Sequence, residues 1–102
     1  MKEVQVLGVE NEELKIALSG DIDVGNADEF FAVVETAYAA EKKTIAFDCQ
    51  QLSFIDSTTL GTFVKLFKQI KADGFSMRLV GLQAKIKKLF VICALDTVME
   101  IE

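Results

Sequence analysis

Apolar and polar residues alternate at two places early in the chain, and apolar residues recur every three to four positions further on. Val4 and Val6 stand between polar neighbours, which predicts a strand over residues 3–9. Asn11-Glu12 reads as a turn. Leu14, Ile16 and Leu18 alternate cleanly, so residues 13–19 form a second strand, paired with the first as a hairpin. Gly20-Asp21-Ile22-Asp23 leads into a loop. At about 100° per residue, Ala27, Phe30, Phe31, Val34, Ala37 and Tyr38 share one face, with Asp28, Ala32 and Thr36 opposite. That is an amphipathic helix ending near Ala40, and Asn26 with Glu29 three residues on resembles a capping box at its start.

Thr44 to Cys49 is short and rich in strand formers, a central strand. A connecting stretch follows, with Leu52, Phe54 and Ile55 as core anchors. Asp56-Ser57-Thr58-Thr59 offers N-cap residue types in succession and opens a second helix. Its expected core stripe is Leu60, Phe63, Val64, Phe67 and Ile70, with Thr58, Thr62, Lys65 and Gln69 on the far side. Gly74 is placed to stop it. Met77, Leu79 and Val80 make the next strand, with Gly81 at its end. A short helix from Gln83 to Ile92 turns Ile86, Leu89, Phe90 and Cys93 inward, and Val98, Met99 and Ile101 form a last strand.

The resulting order, β-β-α-β-α-β-α-β, defines an α/β fold with an open mixed sheet, because strand–helix–strand alternation joins parallel neighbours. The pattern leaves open both the strand order and whether helices cover one face or two. At 102 residues the chain fits one domain, 1–102, since two domains would each be too small to bury much surface.

Composition narrows the chemistry. With no His, the Ser-His-Asp and Cys-His mechanisms and His-containing metal sites are excluded. Eleven Lys and Arg against sixteen Asp and Glu argue against nucleic-acid binding, which needs clustered cations. Cys49 and Cys93 form no CxxC pair and are expected as packed, reduced core thiols. Met1-Lys2-Glu3-Val4 begins no apolar signal segment, and the longest apolar run, Leu89–Leu95, is too short to span a bilayer, so a cytoplasmic protein without membrane contact is expected. No GxGxxG, GxxxxGKS or GxSxG motif occurs, and no cofactor is expected. Asp21 and Asp23 read first as a solvated loop that turns the chain, and only second as an acid–base pair. Lys85, Lys87 and Lys88 read as a solvated face.

The charge is unevenly spread. Residues 1–50 hold 4 basic and 11 acidic side chains, and residues 51–102 hold 7 basic and 5 acidic. The segment that stands out chemically is Phe54-Ile55-Asp56-Ser57-Thr58-Thr59-Leu60-Gly61, where three hydroxyl residues follow an acid at the mouth of a helix. Capping explains Asp56 or Ser57. It does not explain Gly61, which costs about 1 kcal/mol relative to Ala inside a helix and would let a strand or a partner approach closely.

Gly20-Asp21-Ile22-Asp23 and Leu52-Ser53-Phe54-Ile55-Asp56-Ser57-Thr58-Thr59-Leu60-Gly61, at this spacing, resemble the two signature stretches of the STAS domain, in particular the bacterial anti-sigma factor antagonists. Phe67-Lys68-Gln69-Ile70-Lys71 and Lys87-Lys88-Leu89-Phe90 are similar to later segments of that family, so the resemblance runs from about residue 3 to residue 102. It implies a non-enzymatic, phosphorylation-switched interaction module. Ser57 is then the phosphoacceptor, with Thr58 the alternative. An anti-sigma factor serine kinase is the implied partner, bound by the unphosphorylated form so that a sigma factor is released, and a PP2C-type phosphatase reverses the modification. The implied docking surface is Asp21, Asp23, Asp56, Ser57, Thr58, Thr59, Gly61 and Thr62, on a monomer. The family commonly has Gly or Ala where Thr59 stands, and Thr59 is expected to alter partner fit.

A phosphate adds roughly −1.5 to −2 charge. At a helix N-terminus it need not unfold the domain. Beside Asp56 it is expected to act locally, by repelling an acidic partner patch and by its desolvation cost. Two other readings stay open: a STAS subunit of a lipid-transport or stress-signalling assembly without a phospho-switch, and a receiver domain with Asp48 as acceptor. The receiver reading lacks an acidic pair after a first strand.

Overall fold

The computed structural model describes residues 1–102. Five strands and three helices follow in the expected order: β1 Val4–Glu10, β2 Glu13–Ile22, α1 Ala27–Ala40, β3 Thr44–Ile55, α2 Ser57–Ala72, β4 Met77–Val80, α3 Ala84–Ile92 and β5 Glu100–Ile101, with a 3-10 turn at Leu95–Thr97 before the last strand. The strands lie side by side in sequence order. β1 and β2 pair antiparallel through the Asn11-Glu12 turn, where both residues take positive φ, and all other pairs are parallel.

One hydrophobic cluster holds the sheet and helices together. At its centre Phe30 of α1, Phe47 of β3, Phe63 of α2 and Phe90 of α3 meet, with neighbouring centroids 5.2–6.2 Å apart in tilted and edge-on geometries. All three helices therefore share one side of the sheet. The other side stays open and carries Lys15, Asp48, Gln50 and Arg78, none of them buried. At the far end of α2, Gly74 at φ +88° ends the helix as expected, and the Tyr38 hydroxyl donates to Asp73 at 2.7 Å.

Several expectations are corrected. β3 does not stop at Cys49. It runs on through the expected connecting stretch to Ile55, because β2 also continues, through Gly20 to Ile22, and the two extensions pair with register shifts. Leu52 and Ile55 are core residues as expected, but Phe54 faces solvent. On α2 the buried stripe is Thr59, Thr62, Phe63, Leu66 and Ile70, while Leu60, Val64 and Phe67 are only partly covered. The stripe is rotated because two threonines have their hydroxyls satisfied locally: Thr59 Oγ1 donates to Ile22 O and Thr62 Oγ1 to Thr58 O. On α3, Ile86 and Phe90 are buried, whereas Leu89 and Cys93 are exposed. Cys93 lies just past the helix end, so only Cys49 is a core thiol, and burial pushes it up to about 12. Val98 is exposed and precedes the last strand. No helix is long and apolar enough to cross a membrane.

Candidate functional site

Both signature stretches end at the same edge of the sheet. Ile22 and Ile55, the last residues of β2 and β3, are in register, as are Asp21 and Phe54. The chain then leaves β2 into the loop before α1 and leaves β3 directly into α2. Parallel pairing thus places the Asp21–Asn26 loop beside the N-terminus of α2.

Asp56 joins the two. It is the N-cap of α2, with extended backbone, and its Oδ1 accepts from Thr59 N–H at 2.9 Å. Its Oδ2 accepts from Val24 N–H at 2.8 Å, across 32 residues of sequence. These backbone donors, Thr59 first, hold the Asp56 carboxyl below the usual carboxylate range. Thr59 closes the arrangement from beneath. Its side chain is wholly buried, with Oγ1 2.6 Å from Ile22 O and 3.0 Å from Asp56 Oδ1. A hydroxyl has one proton, and the shorter contact is with the carbonyl.

The loop is braced internally as well. Asn26 occupies the N-cap of α1, but its side chain makes no capping bond, contrary to the capping box that the sequence suggests. Its Oδ1 instead accepts from Asp23 N–H at 2.8 Å and its Nδ2 donates to Asp21 O at 3.0 Å. Asp23 Oδ1 accepts from Gly25 N–H at 2.9 Å. Asn26 therefore serves the loop, and α1 starts from the backbone turn in which Asp23 O accepts from Asn26 N–H and Ala27 N–H.

The expected site residues divide into two sets. Ser57 and Thr58 occupy the first two positions of α2 and are both exposed, as are Asp21 and Gly61, while Asp23 and Asp56 are half-buried. These six come together around one helix mouth. Thr59 and Thr62 do not share the surface. Thr59 Oγ1 donates to Ile22 O and Thr62 Oγ1 to Thr58 O, so both hydroxyls are already engaged within the chain. A Cβ added at Gly61 would have nothing within 4 Å, so no strand of this chain needs the glycine. The pattern of the sequence missed Val24 and Phe54, two exposed apolar side chains at this edge. Val24 carried a signal: it is apolar in the midst of Asp21, Asp23 and Asp28.

A family model of the STAS domain matches residues 4–102. The chain belongs to the STAS domain family. Among curated relatives, the anti-sigma-B factor antagonist of Bacillus subtilis is 30% identical over 89 residues, covering 87% of this chain and 81% of its own length. The anti-sigma-B factor antagonist of Listeria monocytogenes is 27% identical over 99 residues, covering 97% and 87%. Among solved structures, the anti-sigma factor antagonist SpoIIAA in its unphosphorylated form superimposes with a TM-score of 0.76 at 22% identity, covering 97% of this chain and 86% of that one. The phosphorylated form of SpoIIAA from Bacillus gives 0.75 at 24% identity, with 97% and 90% covered. At that identity the likeness to SpoIIAA is one of fold, and it matches the β-β-α-β-α-β-α-β order. The anti-sigma factor antagonists among STAS proteins are regulatory binding proteins rather than enzymes, and this chain is one of that kind.

Proposed function

We propose that this STAS protein is a partner-switching anti-sigma factor antagonist of the cytoplasm. In its unphosphorylated form it binds an anti-sigma factor that is also a serine kinase, so that a sigma factor is set free, and phosphorylation of Ser57 ends that binding. The observation that carries this reading is the Ser57 hydroxyl itself. It is exposed at the first position of a helix whose cap, Asp56, is already committed to Thr59 and Val24. The hydroxyl is thus free to react while its surroundings stay fixed. A relative by fold, SpoIIAA, is known in phosphorylated and unphosphorylated forms.

In the transfer, Ser57 Oγ attacks the γ-phosphorus of ATP held by the kinase. The Oγ–P bond forms, the bond from phosphorus to the β,γ-bridging oxygen breaks, ADP leaves, and the hydroxyl proton passes to a base of the kinase. A PP2C-type phosphatase would hydrolyse the ester with water, returning the serine and inorganic phosphate. The free N–H groups and dipole at the start of α2 favour the new anion, so the domain keeps its fold.

The test is incubation with the cognate anti-sigma factor kinase and ATP, followed by phosphosite mapping. Label on Ser57 that disappears in Ser57→Ala is expected. Label that survives in Ser57→Ala and disappears in Thr58→Ala would move the acceptor by one residue. Absence of label with stable binding would support an unswitched STAS subunit of a larger assembly.

A further inference from the structure

Val24 is the most exposed of the large apolar side chains, at 74%, yet its backbone is pinned to Asp56 at 2.8 Å. An apolar residue held in solvent by a tertiary hydrogen bond is pre-organised for contact. Phe54, 47% exposed, lies two residues before Asp56 and in register with Asp21. Ser57 therefore stands at an edge with two exposed apolar side chains, Val24 with its backbone pinned and Phe54 one residue from the end of β3. The loop and the first turn of α1 carry charge of one sign, and the cation beside them, Lys65 of α2, is taken up over the Phe31 ring at 4.0 Å. No Lys or Arg occurs between Lys15 and Lys42, while Asp21, Asp23, Asp28 and Glu29 fall in that stretch. None of these four, nor Asp56, takes part in an ion pair; the ion pairs of the molecule lie elsewhere.

We infer that Val24 and Phe54 are the apolar anchors of the docking surface around Ser57, that its occupant is a protein offering an apolar socket rimmed by Lys or Arg, and that a phosphate on Ser57 expels this occupant through desolvation rather than through like-charge repulsion. The inference rests on the switch proposed above and adds to it the contacts, the charge of the partner and the physical cause of release. An acidic partner patch is the wrong complement, because Asp21, Asp23, Asp28 and Asp56 would repel it before any phosphate arrived. A basic rim suits the unmodified surface, but Coulomb attraction alone would then make the phosphorylated form bind more tightly. Release needs a term that outweighs that gain. Removing a phosphate dianion from water into a contact formed by valine and phenylalanine side chains supplies it, since those side chains offer no hydrogen bonds in exchange.

The discriminating experiment is a salt series, with purified cognate anti-sigma factor kinase as the probe. Wild type, Val24→Ala, Phe54→Ala and the Ser57-phosphorylated chain are each titrated at NaCl concentrations from about 0.05 to 0.5 M, over which the screening length shortens severalfold. Circular dichroism and melting confirm that each variant is folded. Wild-type binding should weaken with salt. Each alanine variant should lose about tenfold or more in affinity while keeping that salt dependence. The phosphorylated chain should stay unbound at every salt concentration. Recovery of its binding at high salt would overturn the desolvation cause, and alanine variants within twofold of wild type would overturn the anchors. Wild-type binding that strengthens with salt would overturn the basic rim. If the unphosphorylated wild type fails to bind the kinase at any salt, the proposed function falls, and the inference with it.

Discussion

Asp56 and Thr59 show how one polar residue was legible in the sequence and its neighbour was not. Asp56 reads as a helix cap from its type and place, and it caps. Its second bond, to Val24 N–H, depends on which strands adjoin, and that lies outside local sequence. Thr59 reads as part of an exposed hydroxyl run but is buried, because a β-branched side chain packs well once its hydroxyl donates to Ile22 O. Thr59→Val keeps the shape and leaves the Ile22 carbonyl unsatisfied. It should cost about 1–3 kcal/mol, which thermal melting would detect as a drop of several degrees. Asp56 also fixes a pH dependence. Its folded pKa lies below the unfolded value, so its stabilising contribution is present above the unfolded pKa and fades as pH falls through the folded one. Asp56→Asn should lose that acid-sensitive part, and hydrogen exchange at Val24 N–H should quicken even at neutral pH.

At the scale of elements, periodicity found every strand and helix but misjudged where β2 and β3 end and which way α2 is turned. Gly20 and Asp21 are poor strand formers, and only mutual pairing carries both strands to Ile22 and Ile55. That extra length matters, since it brings the loop and the mouth of α2 to a common edge. Helix α2 rotates towards Thr59 and Thr62 because satisfied hydroxyls count as apolar once inside. Its Gly61 separates stability from binding. The site is exposed and unobstructed, so Gly61→Ala should stabilise the fold by up to about 1 kcal/mol. A partner docked at the mouth of α2 meets the added methyl, so the same substitution should weaken kinase binding. A rise in melting temperature together with weaker binding is the expected pair of results.

Across the whole molecule, the two sheet faces do different work. The covered face holds the aromatic core. The open face is crossed by an ionic bridge in which Arg78 Nε and Nη2 donate to the two Glu13 oxygens at 2.9 Å each, Lys15 donates to Glu13 at 2.9 Å, and Arg78 Nη1 donates to Glu102 at 2.8 Å. Ala46 lies between Lys15 and Arg78 in register and is small enough to let them pass over it. Hydrogen bonds from Arg78, then Lys15, hold Glu13 down at about 2, so its contribution is present above the ordinary carboxylate range near 4.5 and is lost as pH falls towards 2. Glu13→Gln should destabilise the protein by roughly 1–2 kcal/mol at neutral pH, with the difference from wild type closing at strongly acid pH. This bridge lies away from Ser57, so the variant should still bind the kinase.

Phosphorylation of Ser57 is expected to alter binding while leaving the fold in place. Isothermal titration of the cognate anti-sigma factor kinase with the chain before and after quantitative phosphorylation, alongside circular dichroism and melting of both forms, decides this. The unphosphorylated chain should bind and the phosphorylated chain should not, with superimposable spectra and closely similar melting temperatures. Equal binding by both forms, or a phosphorylated chain that has lost its fold, would contradict it.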